Sequence, residues 1–305
     1  MFLARSRTGA HREDKGVSLR LYADWIGFTE SQVAELLDEF IQANKDMWER
    51  RVDVHKQSKF YDVDGFLKGK QTLDAIELDE VGDVSGKSLL HLMCHFGMDT
   101  LSWARLGAKT TGVDFSEKAV KLAGDLSKQI GVDARFIASD IYKLPEILNE
   151  EFDIVFTSGG VLTWLPDLKK WAQVVVNYVK RGGFFYIREF HPFPYVFDDD
   201  EGVEDLRLRY PYFTPETPLK FDDGATYADP DTKLEQTVTY EWNHSISTLI
   251  NSLINAGLRI DFFNEFPFTT WRALPFLQEQ EDGRWVLPSH RESMPLMYSL
   301  RATKP

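Results

Sequence analysis

Val33, Leu36, Leu37, Phe40 and Ile41 recur on one face of a 3.6-residue period, and Thr29 and Gln32 stand at capping-box spacing, which predicts a helix after Thr29. Past Asn44 and Trp48, Val52-Asp53-Val54-His55 and Phe60-Tyr61-Asp62-Val63 show no clear period and read as a loop or short helix. From residue 88 the pattern changes. Residues 88–94 form an apolar run without helical spacing, which marks a buried strand, and residues 100–106 read as the helix after its turn. Residues 110–115, 134–138, 152–157 and 184–190 repeat the strand pattern. Between them, Ala119, Ala123, Leu126 and Ile130 share one helical face, and Leu168, Trp171, Val175 and Tyr178 share another. The second of these helices begins near Pro166 and is stopped by Arg181-Gly182-Gly183.

Residues 191–242 break this rhythm with prolines, an acidic cluster and short alternating pieces, and read as an inserted cap or hairpin. Ser245 then N-caps a helix striped by Ile246, Leu249, Ile250, Leu253 and Ile254, and strands follow at 259–266 and 296–302. Strand-helix units of this length predict an α/β fold: a seven-stranded, mostly parallel sheet with right-handed crossovers. The expected organisation is a polar tail at 1–28, a helical segment at 29–84 that covers the site, and a main domain at 85–305 carrying the insertion.

Composition narrows the function classes. Against 48 Asp and Glu stand 35 Lys and Arg, a formal net charge of -13, which disfavours nucleic acid as a partner. One cysteine, Cys94, excludes an intrachain disulfide and a multi-thiolate zinc site. No stretch approaches about 18 consecutive apolar residues, so neither a signal peptide nor a membrane span is expected and the chain suits the cytoplasm.

In an open parallel sheet, ligands sit beyond the carboxyl ends of the strands. The positions there are residues 91–97, Asp114, Asp140, residues 158–160 and residues 189–191. A carboxylate ending the second strand, as Asp114 does, offers two acceptor oxygens to the two hydroxyls of a ribose. The segment Leu89-Leu90-His91-Leu92-Met93-Cys94-His95-Phe96-Gly97-Met98-Asp99-Thr100, then Gly112-Val113-Asp114-Phe115-Ser116 and Ser139-Asp140-Ile141, resembles class I S-adenosylmethionine methyltransferases, which have a Rossmann-like fold. The resemblance implies S-adenosylmethionine as cofactor and S-adenosylhomocysteine as product. It also implies that the first loop approaches the methionine part, Asp114 holds the ribose and Asp140-Ile141 recognises adenine. Phe115, Ser116, Ser158, Gly159 and Tyr61 join this cofactor-binding set. In this chain His91 replaces the family's common acid, and Met93 and His95 stand where glycine is usual, leaving only Gly97. The loop resembles a subgroup with Cys-His-Phe-Gly-type first loops.

Each residue also has a structural alternative. Asp114 could cap the next helix, Asp140 could be a loop acid, His91 and His95 could be buried structural histidines, and Cys94 could be a small core residue. Methyl transfer from a sulfonium needs chiefly alignment and exclusion of water, with no metal; a hydroxyl or ammonium acceptor also needs a base. His191 is the first candidate, with Glu189 orienting it, binding substrate or forming a salt bridge, and with His244 as a further candidate. Trp48, Trp164 and Trp242 are substrate candidates, with core packing as the alternative. The expected reaction is methylation of a small molecule at oxygen or nitrogen. A non-catalytic cofactor-binding protein stands behind it, followed by an NAD-dependent oxidoreductase, whose Gly-x-Gly-x-x-Gly pattern is blocked at Met93 and His95.

Overall fold

A computed structural model describes residues 29–305 except 215, 216, 223, 230, 236, 290 and 291, so the expected tail lies outside the described residues. The first helix, α1 (Glu30–Gln57), opens on a reciprocal capping box between Thr29 and Gln32. It does not break after Asn44 and Trp48 but runs unbroken to Gln57, so Val52–His55, read from the sequence as a loop or short helix, belong to one long helix. Ile41, Asn44, Trp48, Val52 and His55 fall on one stripe at intervals of three and four, and Asn44, Val52 and His55 are buried. Polar side chains in that stripe hid it from an apolar period. Two short helices follow, α2 (Val63–Leu67) and α3 (Ala75–Val81).

The main domain alternates β1 (Ser88–Leu92), α4 (Met98–Arg105), β2 (Lys109–Asp114), α5 (Glu117–Ile130), β3 (Arg135–Ala138), β4 (Phe152–Thr157), α6 (Leu168–Tyr178) and β5 (Val179–Phe190). The sheet is completed by β8 (Arg259–Phe266) and β11 (Met297–Thr303), with α7 (Ile246–Asn255) preceding β8. The seven strands lie in the order β3-β2-β1-β4-β5-β11-β8, parallel from β3 to β5, with β11 antiparallel to both neighbours. This is the mostly parallel α/β sheet that the alternation predicts. The Arg181-Gly182-Gly183 turn does not end α6: the helix stops at Tyr178, and the glycines lie inside β5. A Cβ at Gly183 would stand 2.7 Å from the Asp153 carbonyl oxygen, so the glycine lets β5 bend close to β4 where their register shifts.

Apolar cores cover both faces of the sheet. One face packs Trp171, Val175 and Leu253 of α6 and α7 against Leu90, Val155 and Phe185; the other packs Trp103 against Leu89, Ile154 and Phe156. Burying each such side chain contributes about 1.5–3 kcal/mol. Within the insertion, β6 (Leu219–Asp222) and β7 (Val238–Glu241) pair as an antiparallel hairpin. The hairpin is joined to α1: Asn44 Nδ2 donates to the Tyr240 carbonyl at 2.7 Å, Tyr240 N–H donates to Asn44 Oδ1 at 2.8 Å, and Phe40 stacks on Tyr240 at 4.2 Å. The carboxamide thus satisfies backbone groups of β7 as a neighbouring strand would. A smaller pair, β9 (Gln278–Glu279) and β10 (Trp285–Val286), lies between β8 and β11.

Candidate functional site

After β1 the chain turns through left-handed backbone at Met93 (φ 59°), His95 (φ 50°) and Gly97 (φ 75°). The two non-glycine residues therefore stand in backbone that glycine adopts freely, at roughly 1–2 kcal/mol each. The turn is held by Cys94 N–H to the Val113 carbonyl at 2.8 Å and by His95 N–H to Asp114 Oδ2 at 2.8 Å. Gly97 has no substitute, since a Cβ there would stand 2.5 Å from Phe136 Cε1 and 2.9 Å from Ala123 Cβ.

Beside this turn is a cleft at the tips of β2 and β3, lined by Met93, Asp114, Phe115, Ser139, Asp140, Ile141 and Tyr142. Ile41 of α1 and Trp164, Leu165 and Pro166 complete its wall. One oxygen of Asp114 accepts from His95 N–H and the other from Ser116 N–H at 2.9 Å, so each keeps a second lone pair for a ligand hydroxyl. Burial raises its pKa to about 6, although these backbone bonds pull it down. Ser116 also N-caps α5 through Ala119 N–H. Asp140 accepts from Tyr142 N–H at 2.9 Å, and the Tyr142 hydroxyl donates to the Asp167 carbonyl at the start of α6, fixing the far wall. Two carboxylates flanking an apolar slot suit a nucleoside: acceptors for the sugar, flat walls for the base.

A second cavity lies under the loop after β4 and is lined by Leu162, Thr163, Phe190, Tyr195, Trp242 and His244 among others. His244 is buried, with Nε2 donating to the Leu165 carbonyl at 2.7 Å and Nδ1 toward Thr214 Oγ1 at 3.3 Å; burial lowers its pKa to about 4. Glu189 borders this cavity but is not placed to orient His191. Its carboxylate accepts from the backbone N–H groups of Gly160, Val161, Leu162 and Phe190, and so shapes the loop after β4. Burial raises its pKa, against which those four bonds act.

His191 requires the clearest correction. Its Nδ1 accepts from Phe193 N–H at 3.1 Å, Nε2 faces Glu265 Oε1 at 3.1 Å, and the ring packs on Tyr298, so it points along the β11 and β8 side and lines neither cavity. Burial lowers its pKa to about 4.

Other sequence candidates gather over the first loop. Trp48 meets His95 at 5.3 Å and Trp164 at 5.4 Å, edge to face, and Tyr61 meets His95 at 5.5 Å. His91 lies beneath the loop, fully buried, with its nitrogens against Thr100 Oγ1 at 2.9 Å and Ser158 Oγ at 3.2 Å; burial lowers its pKa to about 3. It lines neither cavity and connects β1 to the Ser158-Gly159 turn. Cys94 is buried, and burial pushes its thiol well up, which keeps it unreactive.

Sequence reading overlooked His55, whose Nδ1 meets His95 Nε2 at 2.9 Å and whose Nε2 meets Thr226 Oγ1 at 2.6 Å. It also overlooked Ile41, Tyr142, Tyr227 and Trp271. The signal for Ile41 and His55 was present as the α1 stripe; Tyr227 and Trp271 lie in loops, where no period exists to mark them.

Residues 90–187 match the family described as Methyltransferase domain. A ubiquinone biosynthesis O-methyltransferase from Shewanella sp. (strain ANA-3) is 28% identical over 131 residues, 42% of this chain and 55% of that protein. One from Xanthomonas euvesicatoria is 27% identical over 143 residues, 46% of this chain and 59% of that protein. The aligned region thus spans little more than half of these relatives. An S-adenosylmethionine dependent methyltransferase from Mesorhizobium loti superposes with TM-score 0.52 at 20% identity, covering 77% of this chain and 99% of that one. One from Clostridium acetobutylicum gives TM-score 0.50 at 14% identity, covering 90% and 98%. At these identities the likeness is one of fold, and it agrees with the Rossmann-like sheet described above.

Proposed function

We propose that this chain, whose residues 90–187 match the Methyltransferase domain family, transfers the methyl group of S-adenosylmethionine to an oxygen or nitrogen of a small molecule. The observation that carries this reading is the common cleft of Met93, Asp114, Asp140 and Ile141. Asp114 receives the ribose hydroxyls, Asp140 and Ile141 border the adenine, and the first loop meets the methionine end. The transfer is an in-line displacement that discharges the sulfonium, so the protein supplies alignment and a dry enclosure. The joined α1 and β6–β7 elements provide that enclosure. The relatives named above are O-methyltransferases, which favours oxygen as the acceptor atom.

Parallel calorimetric titrations with S-adenosylmethionine, S-adenosylhomocysteine and NAD test the cofactor. Binding of the first two without NAD is expected, and preferential NAD binding would overturn the reading. Labelled methyl transfer across an acceptor panel then tests catalysis, and tight cofactor binding with no transfer to any acceptor supports a non-catalytic holder instead.

A further inference from the structure

Nine large apolar side chains are exposed among the described residues, and four of them belong to one stretch of the insertion: Phe193, Leu206, Leu208 and Phe213. Leu208 and Phe213 are the most exposed of the nine, at 74% and 72%. The stretch forms a continuous patch. Phe193 packs on Phe197 at 5.4 Å and on Tyr212 at 6.4 Å, Tyr212 packs on Phe213 at 5.3 Å, and Phe197 pairs with Leu208 across an antiparallel bridge. Apolar surface gathered in this way and rimmed by charge marks a contact site rather than scattered exposure. The rim is acidic. Residues 198–209 carry six carboxylates and two arginines. Arg207 and Arg209 meet Asp198, Arg209 also meets Asp200, and Arg272 meets Glu201, while Asp199, Glu204 and Asp205 stand exposed beside the patch.

The chain itself supplies a complement. Residues 1–28, which precede α1, open with Phe2 and Leu3 and continue with Arg5, Arg7 and Arg12, with no acidic side chain before Glu13. We propose that residues 1–12 dock on this patch of their own chain, with Phe2 and Leu3 against Phe193, Leu208 and Phe213 and the arginines on the acidic rim. Reach permits it. Phe40 lies about 16 Å along α1 from Thr29 and stacks on Tyr240 of β7, which pairs with β6, whose Phe221 meets Tyr210 at 5.7 Å. The route from the start of α1 to the patch thus crosses one hairpin, and residues 1–28 span up to about 90 Å when extended. Charge selects this occupant over others. A second copy seated on a twofold axis would set acidic rim against acidic rim, and an anionic membrane would meet the same repulsion. The loop that bears Phe193 also lends Pro192 and Tyr195 to the cavity under the β4 loop, so the docked segment braces a wall of that cavity. The proposal stands on surface chemistry and does not depend on the cofactor reading.

The test places a benzophenone on the full chain at Ser6→Cys. Cys94 is buried with its thiol pushed well up, so the maleimide label goes to position 6. After irradiation of a dilute sample, peptide mapping is expected to put the cross-links within residues 193–213 of the same chain. Cross-links confined to other segments, cross-links formed only between chains, or none at all would each overturn the proposal. Leu208→Ser combined with Phe213→Ser changes only exposed side chains and should cut the yield about tenfold. Arg5→Glu, Arg7→Glu and Arg12→Glu together should cut it about fivefold, and added salt should lower the wild-type yield in the same way. Asp199→Lys, Glu204→Lys and Asp205→Lys placed in that charge-reversed chain should restore the yield, which a loss of folding would not allow. A yield indifferent to both the patch and the charge changes would mean that residues 1–12 do not recognise this surface.

Discussion

The cleft at the tips of β2 and β3 and the aromatic circuit at the tips of β1, β4 and β5, whose rings touch in turn from Trp164 through Trp48, His55, Tyr227 and Trp271 to Phe190, lie side by side but are built differently. Most residues of the cleft stand within a few positions of a strand end: Met93 after β1, Asp114 to Phe115 at the end of β2, Ser139 to Tyr142 after β3. The circuit draws Trp48, His55, His95, Tyr227, Trp271 and Phe190 from segments up to some two hundred residues apart. A site of the first kind is fixed by local backbone geometry; one of the second kind exists only when the cover is folded onto the sheet. The first should therefore tolerate loss of cover contacts but not changes in its own turn, and the second the reverse.

The largest expected effect strikes the turn. Gly97→Ala combines left-handed strain with a Cβ 2.5 Å from Phe136 Cε1, and should cost about 3 kcal/mol of stability. A urea unfolding curve reads this as a lower midpoint at constant slope. A midpoint unchanged within error would show that the turn relaxes, and the claim that local geometry fixes the cleft would fail.

Next comes Asp114→Ala, which removes the charged acceptor while leaving the walls in place. S-adenosylhomocysteine should bind more weakly by about 1.5–3 kcal/mol, measured by calorimetry. The same titration on Asn44→Ala, which cuts α1 from Tyr240, should show a much smaller loss in the cleft. Equal losses would mean that both regions depend on the cover, and the contrast would collapse.

The same construction explains what the sequence disclosed. Strand-tip positions are readable because a strand and the turn after it are contiguous, and Asp114 and Asp140 reach the cleft for that reason. The sheet was legible for the same cause, each apolar run bounded by its own turn. His191 misled because its place after β5 fixes the Cα but not the ring. The Phe193 N–H and Glu265 draw that ring toward β8, an orientation set by a strand seventy residues further on. Glu189 misled in a similar way: it sits at a strand tip, but the four backbone donors around its carboxylate belong mainly to the loop after β4. The second half of α1, which carries Trp48 and His55, escaped because its buried stripe mixes asparagine and histidine with apolar residues.

A smaller effect follows from pH. The folded-state pKa of Asp114, about 6, lies above that of an ordinary aspartate, because burial penalises the charge. The folded chain therefore holds this proton more tightly than the unfolded chain. The group favours folding under acid conditions, and that contribution fades as pH rises through about 6. Cofactor binding runs the other way, since ribose hydroxyls need an ionised acceptor. S-adenosylhomocysteine affinity should be level above pH 6 and fall by up to about tenfold per unit below it. Asp114→Asn, which cannot titrate, should flatten the curve; a wild-type profile level from pH 5 to 8 would separate the carboxylate from the ligand.

The smallest effect is expected at His191, and it tests the boundary of the circuit. His191→Ala removes a contact to Glu265, a carboxylate half-exposed to solvent, and leaves the Phe193 N–H without its acceptor. Burial leaves the imidazole neutral at pH 7, so its contact with Glu265 is a hydrogen bond and not an ion pair, and loss of the two bonds at about 1 kcal/mol each predicts a modest drop in unfolding midpoint. Because the ring lines neither cavity and belongs to no link of the aromatic circuit, turnover and S-adenosylhomocysteine affinity should both stay within about twofold of wild type. A tenfold fall in kcat at unchanged KM would place the β8 side of the sheet in the chemistry. A proton acceptor would then sit at a strand tip after all, in a place readable from local sequence, and the division between a cleft built locally and a ring cluster assembled from distant segments would have to be redrawn.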